Sequence, residues 1–538
     1  MFTCHYGQAV MERTLHATSK ILEVQGQLEL AVDYPELEAV VATHGYLREI
    51  KGEITGNKLL LSGTVDLHLV YRGKESVDRV PVYGMVWKGT EGVIVNGEVD
   101  LSDLEANWDW QVRLLKTKVQ PEADRTLKYH LELEVRLRAH EPVAVDYVDQ
   151  IETETPIHTE VEHLLVAEPL LQTYVSREFS NTFALTYPRS PLSRFISCQV
   201  FPVHSTASFA KNRVIIEGKL EMQLVYATLT EDGQEGGLET QKWTEENGGA
   251  LPFQITVETP LPEEPSIYYE LWVESVECTS THPESCRVQV QIGADVCLTK
   301  TRQVKAFIDV SAAEKGIIDL KREIGSWIEV IEDAERFFVV EKLLTLPEQR
   351  ANINKILQVL VTDPRIQWEL DHDQLIVAGE ALATLLYQGE SLGEEGEAIT
   401  AASWGQGATE VLTFGTTFDL PGVEEGMQAR VFLNPQRPNA ELVDERTVKL
   451  VWEFKAMITV TQNRELALIT DSALVLPEDG PKPSMLFYVV QPGDTLWTIA
   501  RRYNTTMAAL AKTNQLTGAD QELVFGKKLL IPKAPFAN

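Results

Sequence analysis

Basic residues are scarce in this chain. Its 538 residues carry 48 Lys and Arg against 80 Asp and Glu, a formal net charge of −32. A nucleic-acid binder needs a basic footprint, and here the sign is reversed. Apolar runs are short as well, and none reaches the roughly eighteen residues from which a membrane-spanning helix is read. The opening stretch, MFTCHYGQAVMERTLHATSK, has no apolar core of the kind a signal peptide needs, so the chain is expected to stay in the cytoplasm. Cysteine is rare: Cys4, Cys198, Cys278, Cys286 and Cys297 are few, odd in number and no disulfide framework. The sequence has no H-E-x-x-H, G-x-S-x-G, Walker-type G-x-x-x-x-G-K-S/T or C-x-x-C. No catalytic residue and no cofactor is therefore expected.

Apolar residues, by contrast, make up 44% of the chain, enough to build cores. The length exceeds what one core supports and predicts three or four domains. One string recurs three times: LLLSGTVDLHLVY at 59–71, VIIEGKLEMQLVY at 214–226 and LIVAGEALATLLY at 375–387. In each, a glycine (Gly63, Gly218, Gly379) stands eight residues before a tyrosine (Tyr71, Tyr226, Tyr387). Apolar and polar residues alternate, which predicts a strand with one buried face. The shared glycine predicts a bend, a bulge or close packing on a neighbouring backbone.

Each copy passes through a Gly/Glu-rich stretch to a tryptophan (Trp87, Trp243, Trp404) and closes on a further alternating strand from Arg125, Cys286 or Arg446. A proline (Pro35, Pro188, Pro347) precedes each unit's first strand region. Strands at this spacing with Gly/Pro punctuation predict β-sandwich-like domains. The expected units are 14–150, 155–311 and 339–470. A helical connector is expected over 312–338, because Ile317, Leu320, Ile324, Trp327, Ile328 and Ile331 recur at helical spacing. The tyrosines and tryptophans are read as core residues. Cys278, His282 and Cys286 have a C-x3-H-x3-C spacing that zinc could use. The two sister units lack these cysteines, so strand cysteines flanking a His-Pro turn are expected instead, with no metal.

Residues 471–484, DSALVLPEDGPKPS, read as a proline-rich linker. Beyond them the charge changes sign. From Met485 onward the chain is +3, leaving −35 for the body before it. A short strand at 487–490 is followed by Gln491-Pro492-Gly493-Asp494, and Asp494 or Thr495 is placed to cap a helix. Thr505 or Thr506 starts a second helix, and a last strand at 528–531 stops at Pro532. The predicted order over 485–534 is βααβ.

This module resembles a LysM domain. It has Y-x-V-x-x-G-D-T-L-W-x-I-A at 488–500, N-x-L at 514–516 and L-x-I-P at 529–532. The resemblance implies a shallow groove for N-acetylglucosamine glycans, peptidoglycan included. One side would be Gly493, Asp494, Thr495 and Leu496, and the other Asn514, Leu516 and the Phe525-Gly526-Lys527 turn. Trp497 would offer an aromatic contact or pack on the second helix. Where the family commonly has P-G-Q, Phe525-Gly526-Lys527 brings a ring and a charge, which suit an acidic protein surface as well. Together, the acidic repeats and the terminal LysM resemble the SPOCS-domain spore-coat morphogenetic proteins of endospore-forming bacteria (the SipL/SpoVID type). That resemblance implies a mainly β fold of three tandem sandwich-like SPOCS repeats and one LysM. It also implies a scaffold in the mother-cell cytoplasm, at the forespore surface, whose LysM docks a coat basement-layer ATPase of the SpoIVA type and which holds other coat proteins.

Overall fold

The computed structural model describes residues 2–74, 82–101, 106–154, 156–185, 191–261, 263–312, 317–348, 350, 352–389, 398–404, 412–475, 486–503, 505–516 and 523–532. In chain order the first unit is β1 (Phe2–Glu29), β2 (Leu37–Thr55), β3 (Lys58–Gly73), β4 (Val82–Trp87), β5 (Val93–Asp100), β6 (Asn107–Pro121) and β7 (Thr126–Thr153). The second is β8 (Ile157–Ala184), β9 (Leu192–Ala210), β10 (Arg213–Leu229), β11 (Glu235–Trp243), β12 (Leu251–Glu258), β13 (Ser266–His282) and β14 (Ser285–Ala312). The third is β15 (Ile317–Thr345), β16 (Ile353–Asp371), β17 (Gln374–Gly389), β18 (Ala398–Trp404), β19 (Leu412–Asp419), β20 (Gln428–Pro435), β21 (Asn439–Asp444) and β22 (Thr447–Val475).

The three tyrosine-ended strings are β3, β10 and β17. Each pairs antiparallel with the strand before it and with the two after it, making three four-stranded sheets of one design. Opposite each, the unit's first strand pairs its last: β1 with β7, β8 with β14, β15 with β22. Alternation aims the apolar side chains into the space between the two sheets, as Leu67, Leu69 and Tyr71 of β3 meet Leu127, Leu131 and Leu133 of β7. All three tyrosines are fully buried. The Tyr71 hydroxyl donates to the Pro35 carbonyl at 3.0 Å, and the indoles of Trp87 and Trp243 donate to the carbonyls of Glu29 and Ala184. The glycine of each string faces a register shift in the preceding strand or packs against a ring. At Gly218 a Cβ would come within 2.9 Å of both the Phe253 ring and the Val203 carbonyl.

Six strands of 28 or 29 residues (β1, β7, β8, β14, β15, β22) far exceed the usual length of about 3–10. The extra length leaves the sandwich. Residues 2–14 pair with 140–153, 157–169 with 299–312, and 317–330 with 461–475, forming three ribbons. The ribbons share two clusters, a larger one containing Met11, Tyr147, Val166, Val304, Trp327 and Leu468 and a smaller one nearer the tips containing Val148, Phe307, Val310, Ile318 and Ile469. Each leaves its sandwich at a register shift that strands one residue: Leu15, Leu170 and Ile331. A second shift follows nearer each tip, at His5/Tyr6, Phe307/Asp309 and Lys321/Arg322.

Those shifts correct the helix expected over 312–338. Residues 317–345 are a strand, paired with β22 over its whole length. Bulges after Lys321 and Val330 interrupt the two-residue period, so apolar positions fall three and four apart and imitate a helix. The first five residues of the linker expected at 471–484 are strand, because β22 continues to Val475. Its remainder, 476–484, lies outside the described residues.

Candidate functional site

The C-terminal module is a two-stranded sheet with two short helices. β23 (Leu486–Val489) pairs antiparallel with β24 (Lys528–Ile531), and α1 (Leu496–Arg502) and α2 (Met507–Thr513) lie between them in the chain. Thr495 caps α1 in a reciprocal pair with Thr498, and Thr506 caps α2 by accepting from the Ala509 amide. The core is Tyr488, Val490, Leu496, Ile499, Leu510, Leu529 and Ile531.

Gly493 turns the chain with φ of 83°, a left-handed conformation that costs glycine nothing. Asp494 fastens the turn, accepting from the Gln491 amide at 2.7 Å and the Tyr488 hydroxyl at 2.6 Å. Arg502 donates to the same hydroxyl at 2.7 Å. Partial burial works against the Asp494 carboxylate, yet these hydrogen bonds and Arg502 hold its pKa below the usual value. Opposite, Gly526 also takes a left-handed φ, of 80°. The Val490 amide donates to the Lys527 carbonyl, and the Gly526 amide donates back to Val490. This backbone pair lays the 491–495 turn beside the 525–527 turn.

The two walls read from sequence thus lie side by side, but their residues have unequal freedom. Gly493, Thr495, Phe525, Gly526 and Lys527 are exposed, Leu516 is half-buried and Leu496 is buried in the core. Both Asn514 amide hydrogens are committed to the fold: its Nδ2 donates to the carbonyls of Leu510 and Leu530, and its Oδ1 accepts from the Leu530 amide. It ties α2 to β24 rather than offering hydrogen bonds to a ligand. Tyr488 and Arg502, which lock the turn through Asp494, escaped the sequence reading.

Trp497 points neither into the groove nor onto α2. Its indole donates to Asp309 of β14 at 2.9 Å and meets His158 edge-on, at 6.1 Å between ring centroids. Arg501, one turn along α1, donates to the same carboxylate at 2.6 Å, and Arg322 of β15 holds its other oxygen at 2.6 Å. Asp309 is buried between two guanidinium groups, which compensates the cost of desolvating it. The basic module is therefore seated on the tips of the acidic ribbons, and residues Gly493, Thr495 and Phe525–Lys527 of its two turns stay exposed. Hydrogen bonds to charged groups contribute about 1.5–3 kcal/mol each, so Asp309→Asn should shift the docking equilibrium by about tenfold or more. The Trp497 indole resonance and amide exchange in α1 report this directly. If neither moves in the variant, the contact does not hold the module.

Among the described residues no group of three His, Cys, Asp or Glu could hold a metal ion. Cys286 is buried in the core of the second unit and His282 is exposed at the β13–β14 turn, so the C-x3-H-x3-C residues do not converge. All five cysteines are free thiols. Among the described residues no helix is long and apolar enough to cross a membrane.

Residues 488–532 match the LysM domain family. No curated protein and no solved structure matches the chain.

Proposed function

We propose that the chain is a non-catalytic binding protein whose LysM module takes an N-acetylglucosamine-containing glycan, such as peptidoglycan, while its acidic β body sets the module's position. The observation that carries this reading is the pair of exposed turns held side by side. The 491–495 and 525–527 turns stand side by side with exposed small groups and one exposed ring, Phe525, and the contact with the body uses the other face of α1. Exposed backbone at a turn and helix start supplies donors for acetamido groups, and an aromatic ring supplies a stacking surface for a sugar. Neutral sugars are held by hydrogen bonds and ring contacts, so such binding is insensitive to salt.

A second reading rests on a different observation. Val524 and Phe525 are exposed beside Lys527 and Lys528, a cationic and apolar lip that fits an acidic protein surface. In this reading the chain is a SPOCS-type spore-coat scaffold in the mother-cell cytoplasm, with its LysM on a coat ATPase of the SpoIVA type. Co-sedimentation of the full chain with insoluble peptidoglycan separates the two. Glycan binding predicts retention that persists at high salt, is competed by N-acetylglucosamine oligomers and falls about tenfold in Phe525→Ala. Retention lost with salt and with Lys527→Glu/Lys528→Glu, or no retention at all beside binding to an acidic coat protein, would overturn the glycan reading.

A further inference from the structure

The three units meet around a cavity of about 630 Å³, bounded by strands from all three. It lies at the level where the ribbons leave their sandwiches. Two of the residues stranded there by the register shifts, Leu15 and Leu170, line it and are each 37% exposed, although they are large and apolar. Bulges re-aim side chains in this way next to binding sites. Leu171 and Ile328 add further apolar wall.

Its charged groups are unequally committed. Arg138 is spent on Glu12 and Asp109, and His140 faces the same two carboxylates at 3.0 and 3.4 Å. Arg430, from the third unit, is different. Its guanidinium donates to the Gln172 side-chain oxygen at 2.9 Å and to the Cys297 sulfur at 3.2 Å, and it stacks over Phe432. All three partners are neutral, because burial pushes the Cys297 thiol up and keeps it protonated. Among the described residues Arg430 makes no ion pair. Asp295 acts on it only at longer range, and burial pushes that carboxyl up to about 6. A half-buried cation with only neutral direct partners, beside the apolar part of a cavity whose Glu12, Asp109 and Arg138 pair with one another, is a seat for an anion. Pockets of roughly 300–1,000 Å³ hold small ligands.

We propose that this junction cavity binds an aliphatic monocarboxylate, its head group paired with Arg430 and its chain laid against Leu15, Leu170, Leu171 and Ile328. Because all three units line the cavity, the ligand would also brace the junction. The test is calorimetric titration of the full chain with decanoate, with 1-decanol as the uncharged control and thermal unfolding as a second readout. Decanoate should bind and raise the unfolding temperature, 1-decanol should bind at least tenfold more weakly, and Arg430→Gln should weaken decanoate by tenfold or more. Arg430 is partly exposed and in no ion pair, so this variant should fold. Leu170→Trp, which adds bulk at a stranded residue lining the cavity, should abolish binding. Equal affinities for decanoate and decanol, an unchanged affinity in Arg430→Gln, or no binding of either probe would overturn the proposal.

Discussion

Trp327→Ala should weaken the ribbons of all three units at once, although Trp327 belongs to the third. The indole is fully buried among residues of β1, β7, β8, β14 and β22, with Tyr147 of the first unit packed edge-on at 5.7 Å. Truncating a buried Trp to Ala costs about 3–5 kcal/mol through lost transfer energy and the cavity left behind. The cost should be shared, because every ribbon contributes side chains to the cluster around Trp327. Hydrogen exchange should therefore accelerate in residues 2–14, 140–153, 157–169 and 299–312 as well as in β15 and β22. The sandwich strands β3, β10 and β17 should keep their protection. Trp327→Phe supplies the contrast. The indole Nε1 is buried without a hydrogen-bond partner, so replacing it with a ring that has no polar atom removes an unsatisfied donor and should cost under about 1.5 kcal/mol. Acceleration confined to β15 and β22 would refute a shared core.

What could be read without the structure follows the same division. The tyrosine-ended strands were legible because alternation runs unbroken through them and all three copies say the same thing. The LysM module was legible because caps, turn glycines and a terminating proline are local features. The ribbons were not. Each carries two register shifts, and at β15 these turned a two-residue period into one that reads as helical. Their true partners lie about 140 residues away, where no local pattern points. The seating of Trp497 and Arg501 on Asp309 was hidden for the same reason, since the residues are nearly two hundred positions apart and only the opposite charges of module and body hinted at it. Within the module, motif order brought the 491–495 and 525–527 turns into view as neighbours. It could not tell that Asn514 spends both amide hydrogens on the fold, or that Leu496 belongs to the core.

Acid should loosen the junction between the first two units before it protonates ordinary carboxylates. His44 of β2 and His68 of β3 are buried, stacked at 4.6 Å, and each has an Nε2 without a hydrogen-bond partner. Tyr46 packs edge-on against both rings and also against the core of the second unit. Burial lowers the His44 pKa to about 4, and burial together with His44 and Lys88 holds His68 well below its usual value. Both groups are thus harder to protonate in the folded chain than in the unfolded one, whose histidines titrate near 6.5. Their stabilising contribution is complete above about pH 6.5 and drains away as pH falls, because only the unfolded state takes up the protons readily. For His44 the loss amounts to about 3 kcal/mol once pH has dropped through 4. Asp295 works in the opposite direction: its raised pKa lets the folded state gain a proton first. The measurement must therefore be a difference. Urea midpoints of the natural chain and of His44→Phe/His68→Phe, taken from pH 7.5 to 4.5, cancel the Asp295 contribution. The two curves should run parallel above about pH 6.5, and below it the natural chain should lose stability faster than the variant. Curves parallel over the whole window would show that the histidine pair does not govern the junction.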